Sequence, residues 1–61
     1  MKILLVEDEI SLGDYIKKGL SEAGFIVEHH TTGLDGYQAL MTEGFNVVIM
    51  DVMLPDVSGF E

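Results

Sequence analysis

Two short, unbroken apolar runs, each ending in an acid, constrain this chain more than any other feature. Ile3-Leu4-Leu5-Val6 runs straight into Glu7-Asp8, and Val47-Val48-Ile49-Met50 runs straight into Asp51. Neither run alternates apolar with polar residues. Continuous runs of this length, rich in β-branched residues, suit strands covered on both faces, as in parallel sheets. A third run, Phe25-Ile26-Val27, leads into the polar Glu28-His29-His30 and reads as a strand nearer an edge.

Two amphipathic stretches separate the strands. Leu12, Tyr15, Ile16, Leu20 and Ala23 recur at three- and four-residue steps, which predicts a helix with one buried stripe. Gly19 falls on that stripe and is expected to permit close packing. Gly24 is placed to end the helix through a left-handed cap. Thr32 is placed to cap a second helix, with Asp35 three residues on giving a weaker capping box. Leu34, Tyr37, Leu40 and Met41 are expected to form its buried face, and Gly44 to stop it.

The order is therefore β-α-β-α-β. Parallel strands need crossover connections, and these are almost always right-handed. With the first strand in the middle, the sheet order is 2-1-3 with helices on opposite faces, the opening half of a doubly wound α/β fold. At 61 residues the chain holds one domain at most. A chain of this size buries only about 60% of the surface its unfolded form exposes, so its stability is expected to be marginal. Pro55 lies in a turn-like stretch, Leu54 to Gly59, and a third helix is expected to start near Gly59.

With 48% hydrophobic residues the chain is not a disordered tail. No apolar run approaches the ~20 residues of a membrane span, and the N-terminus lacks the longer apolar stretch of a secretory signal. A soluble, cytoplasmic location is the simplest expectation, and the absence of cysteine fits a reducing compartment. The formal net charge is −8, with only Lys2, Lys17 and Lys18 positive. Such a surface repels phosphate backbones, so direct nucleic-acid binding by this segment is not expected. It should attract divalent cations, although from charge alone the acidity is better read as an aid to solubility.

Glu7 and Asp8 follow the first strand, and Asp51 follows the third. Neighbouring strands lie about 4.8 Å apart, so a 2-1-3 order gathers these acids in one crevice at the switch point where ligands of such folds bind. Clustered carboxylates must take up protons, recruit a cation or turn toward water. Magnesium takes one or two carboxylates, keeps several waters and leaves a position for a substrate phosphate. A pocket of Asp8, Asp51, a loop carbonyl and water fits that description. The Asp51 carboxylate could then attack a phosphoryl donor in line. Taken alone, Glu7-Asp8 reads more readily as a pair of solvated acids at a helix start. The juxtaposition of two adjacent strand ends raises the functional reading.

Val6-Glu7-Asp8-Glu9, together with Asp51-Val52-Met53-Leu54-Pro55-Asp56-Val57-Ser58-Gly59, resembles the receiver domain of two-component response regulators. The similarity runs across all 61 residues, Gly33 to Leu40 included. Among receivers the wording is nearest to transcriptional regulators with a winged-helix DNA-binding domain, of the heavy-metal and envelope-stress type. The resemblance implies a flavodoxin-like receiver fold, truncated here to β-α-β-α-β. It matches Asp51 to the phosphoacceptor, Asp8 to a direct Mg2+ ligand and Glu7 to an acid that reaches the metal through water. Met53 matches the position whose backbone carbonyl completes the site, and Pro55 and Gly59 match loop positions beside it. The implied partner is a sensor histidine kinase, which donates from a phosphohistidine.

The family's domain is about twice this length. Residues 1–61 are therefore expected to be a partial receiver, without the later Ser/Thr and Lys that contact the phosphoryl group and without a DNA-binding domain. Loss of the Lys is expected to leave the acid pocket fit for metal but weakened for phosphoryl transfer. The third strand would keep a bare edge, which invites pairing with another chain. A non-catalytic module that self-associates as a homo-oligomer through that edge is thus the alternative. An aspartyl-nucleophile phosphatase would carry a second Asp two residues after the first, where Met53 stands.

His29-His30 are expected to be ordinary surface histidines, since neighbours on a strand point to opposite faces and cannot share one ion. Met41 and Met50 read as core filling rather than metal ligands. Tyr15 and Tyr37 read as packing residues, and Lys17-Lys18 as a solvated helix face.

Overall fold

The computed structural model describes residues 1–50; Asp51, Met53, Pro55 and the helix expected near Gly59 lie outside the described residues. The element order is β1 (Lys2–Val6), α1 (Ile10–Glu22), β2 (Ile26–His30), α2 (Gly33–Thr42) and β3 (Val47–Met50). The strands form one parallel sheet in the order β2-β1-β3, as the apolar runs predict. The register pairs Ile3 with Val27 and Val47, and Val6 with His30 and Met50.

Strand β1 is central and almost fully enclosed. Its side chains alternate between two apolar layers, because successive residues of a strand face opposite ways. Ile3 and Leu5 join Val27 in a cluster with Ile16, Leu20 and Phe25 on the α1 side. Leu4 and Val6 join Ala39, Phe45 and Met50 on the α2 side. Strand β3 does not share this enclosure: Val47, Val48 and Ile49 are exposed, and no strand among the described residues pairs with its outer edge. Its run had suggested cover on both faces, and that expectation is corrected here.

The helix ends follow the local sequence closely. Gly24 has φ +99°, the left-handed geometry that favours glycine, and the amide of Phe25 donates back to the Leu20 carbonyl. The Thr32 hydroxyl accepts from the Asp35 amide at 3.1 Å, capping α2. Helix α2 ends one residue ahead of Gly44, through Glu43 in an extended conformation.

The helix faces differ from expectation. On α2 the buried residues are Gly33, Gly36 and Ala39, whereas Leu34, Tyr37, Leu40 and Met41 are exposed. On α1, Ile16 and Leu20 pack inward, but Leu12 and Tyr15 are exposed and the close-contact glycine is Gly13. Helix α2 lies so near the sheet that only small residues fit its line of contact, whereas on α1 the close contact is Gly13 against the His29 ring. A Cβ on Gly36 would stand 2.5 Å from Cγ2 of Val6, whereas one on Gly19 would meet nothing within 4 Å.

The starts of β1 and β3 are clamped together. The Lys2 amide donates to Oδ1 of Asn46 at 2.8 Å, and the Asn46 amide donates to the Lys2 carbonyl at 2.8 Å. The Lys2 ammonium bonds Glu43 at 2.9 Å and lies 4.9 Å from the centre of the Phe45 ring. No helix among the described residues is long and apolar enough to cross a membrane.

The two glycines give a paired test. Alanine gains about 1 kcal/mol over glycine in a helix interior. Gly19→Ala should therefore raise stability by about that amount. Gly36→Ala makes the same gain but drives a methyl into Val6, a stiff β-branched side chain with no exposure. Overpacking of this kind costs about 1–3 kcal/mol. Gly36→Ala should thus be the less stable variant in urea unfolding, and an equal gain at both sites would refute the close-contact line.

Candidate functional site

The acid pair sits where β1 leaves the sheet. Glu7 is buried, with 7% of its surface exposed, and Asp8 is exposed. Hydrogen bonds to other described residues hold Glu7. Its amide donates to the His30 carbonyl at 3.0 Å, which extends the β1–β2 ladder by one bond. Its Oε2 accepts from the Glu9 amide at 3.0 Å, and its carbonyl accepts from Nε2 of His29 at 3.0 Å. A carboxylate turned onto a backbone N–H just ahead of a helix is well placed electrostatically. It engages the amide of Glu9, the capping residue of α1, whose own side chain makes no cap hydrogen bond.

Val6 is paired with Met50, so the residues that precede Glu7 and Asp51 in sequence are neighbours across the sheet. Asp51 and Met53 lie outside the described residues, and their distances to Asp8 are left to experiment. Among the described residues no three His, Cys, Asp or Glu side chains group as a metal site. Two surface grooves among the described residues, of about 530 and 670 Å³, are lined by other residues: one along α1 beside Tyr15 and Leu20, the other between β2 and α2 beside Glu28 and Met41.

The histidines divide as strand parity requires, His29 toward α1 and His30 toward α2. They are not both ordinary surface residues. The His29 side chain is only 9% exposed, and its ring fills the space beneath Gly13, where a Cβ would lie 2.1 Å from Cε1. His30 is half-buried, and its Nε2 bonds Oε2 of Glu28 at 2.6 Å. That bond holds the Glu28 carboxyl below its ordinary pKa, with the nearby Glu43, the His30 charge and Lys2 acting in the same direction and burial opposing them. Met41 is exposed rather than core filling, whereas Met50 packs against the α2-side cluster.

The chain matches the response regulator receiver domain over residues 3–61. It is 56% identical to the probable transcriptional regulatory protein SilR of Salmonella typhimurium and 51% identical to the transcriptional regulatory protein CusR of Escherichia coli K12. Both matches cover 100% of this chain and 27% of the relative. It is 47% identical to the transcriptional activator protein IrlR of Burkholderia pseudomallei, over 98% of this chain and 26% of that protein. No solved structure matches significantly. The chain belongs to the receiver domain family of response regulators. It spans about a quarter of the length of these curated relatives.

The Glu28–His30 contact has a pH signature. Glu28 has a lowered pKa in the fold, so the pair stabilises the chain above the ordinary carboxylate value of 4.5. That contribution fades as pH falls through the lower folded value. Glu28→Gln should flatten the acid limb of the stability curve, followed by thermal melting from neutral pH downward. An unchanged acid limb would show that the contact carries no linkage.

Proposed function

We propose that this chain is the phosphoacceptor segment of a two-component transcriptional response regulator. Asp51 takes a phosphoryl group from a phosphohistidine of a sensor histidine kinase. Residues 1–61 are, on this reading, part of a receiver domain that works in the cytoplasm. DNA binding belongs to another part of the parent protein, since a chain of net charge −8 is a poor match for a phosphate backbone. The observation that supports the reading is the pairing of Val6 with Met50, the residues that precede Glu7 and Asp51 in sequence.

The donor chemistry fits Mg2+. Asp8 is an exposed carboxylate at the strand tip, suited to direct ligation, and Glu7 is buried with one oxygen held by the Glu9 amide, suited to reach the ion through water. Asp51 and the Met53 carbonyl complete the proposed set. When bound, the ion supplies positive charge against the phosphoryl oxygens. The Asp51 carboxylate forms the new P–O bond, the P–N bond of the donor breaks, and its electron pair leaves with the imidazole. Incubation with acetyl phosphate and magnesium should add one phosphoryl group by intact mass, and Asp51→Ala should add none. Equal labelling of both would end the proposal.

A second reading is favoured by the exposed Val47, Val48 and Ile49 and by the unpaired outer edge of β3 among the described residues. An open, apolar strand edge is a template for a further strand. The chain would then be a non-catalytic module that self-associates as a homo-oligomer. Oligomers that persist in Asp51→Ala by light scattering are expected on this reading. A monomer at high concentration would remove it.

A further inference from the structure

The geometry points to His29 as a positioning residue for the acid pair: a buried latch that holds the β1–α1 turn in the shape Asp8 needs to meet a divalent cation. The inference rests on the proposed metal role of Glu7 and Asp8 and adds a residue outside that set.

The latch follows from where β2 stops. The Glu7 amide donates to the His30 carbonyl, so in a continued parallel ladder the Glu7 carbonyl would accept from the amide of residue 32. Strand β2 ends at His30 instead, and Thr32 caps α2. Past the end of the ladder the side chain of His29 donates to the Glu7 carbonyl, with Nε2 at 3.0 Å from the oxygen. A carbonyl only accepts, so Nε2 carries the proton.

Gly13 makes room for the ring. A Cβ there would lie 2.1 Å from Cε1 and 2.3 Å from Nε2, so the imidazole occupies the volume that any other residue at 13 would fill. Asp14, on the same turn of α1, places Oδ1 3.9 Å from Nδ1. The ring is thus enclosed by α1 above and the strand tip beside it. With the Glu7 carbonyl held by His29 and the Glu7 carboxylate held by the Glu9 amide, the backbone is pinned on both sides of Asp8. A ligand carried on a turn fixed in advance spends less binding energy on ordering.

The test measures Mg2+ and Mn2+ affinity of the full 61-residue chain by calorimetry, with circular dichroism to confirm folding. His29→Leu removes the donor and should weaken binding by about 10-fold or more, the usual effect of losing an outer-shell partner. His29→Gln carries an amide N–H near the position of Nε2 and should recover much of that loss. A folded His29→Leu that binds as tightly as wild type overturns the latch. A His29→Gln no better than His29→Leu overturns it as well. Because His29→Leu could fail to fold, nitrogen-15 NMR of the unaltered chain gives a second measurement. The His29 ring should show a protonated Nε2 and shift with the same midpoint as the Asp8 amide during magnesium titration. Ring signals that stay fixed while the Asp8 amide moves overturn the inference. Wild-type chain with no saturable magnesium binding, in contrast, overturns the proposed metal site itself.

Discussion

The enclosure of β1 is the constraint on which the structure depends. It is hydrogen-bonded on both edges, and its alternate side chains supply both apolar layers, Ile3 and Leu5 to one and Leu4 and Val6 to the other. Neither helix has another strand as fully buried to rest on. The same enclosure fixes the direction in which the chain leaves the sheet, and with it the place of Glu7 and Asp8. In this small fold the core and the candidate site are two ends of one strand.

Much of the topology was legible because it rests on strong, local signals. Unbroken apolar runs mark buried parallel strands, Gly24 marks a left-handed turn and Thr32 marks a cap, and each stands where its chemistry requires. The helix faces were not legible. Periodicity counts large apolar side chains, yet the contact line of α2 is Gly33, Gly36 and Ala39, and that of α1 includes Gly13. Close approach selects for absence of volume, and hydrophobic patterning has no way to weight an absence. Leu34, Tyr37 and Met41 then fall on the exposed side, where their size had suggested the opposite.

The candidate site divides in the same manner. The acids at the strand tip were readable from position alone, because a parallel sheet sends its carboxyl ends one way. Strand parity sets His29 opposite His30 but says nothing of what covers either ring, so the burial of His29 is not readable from it. What covers the ring is the first turn of α1, and it can do so only because residue 13 has no side chain. The informative signal was a pair, a glycine early in one helix and a histidine late in the next strand. Neither has meaning until the register is known.

The placement of Lys2 has a consequence for the field of the whole molecule. It lies at the amino end of β1, bound to Glu43, and the other two cations, Lys17 and Lys18, lie past the middle of a helix that runs back toward that same end. Glu7, Asp8, Glu9 and Asp14 gather at the opposite pole. Among the described residues, negative charge is therefore concentrated at the strand tip. An approaching basic surface would be rotated into alignment with that tip before contact, and the steering would weaken as ionic strength rises.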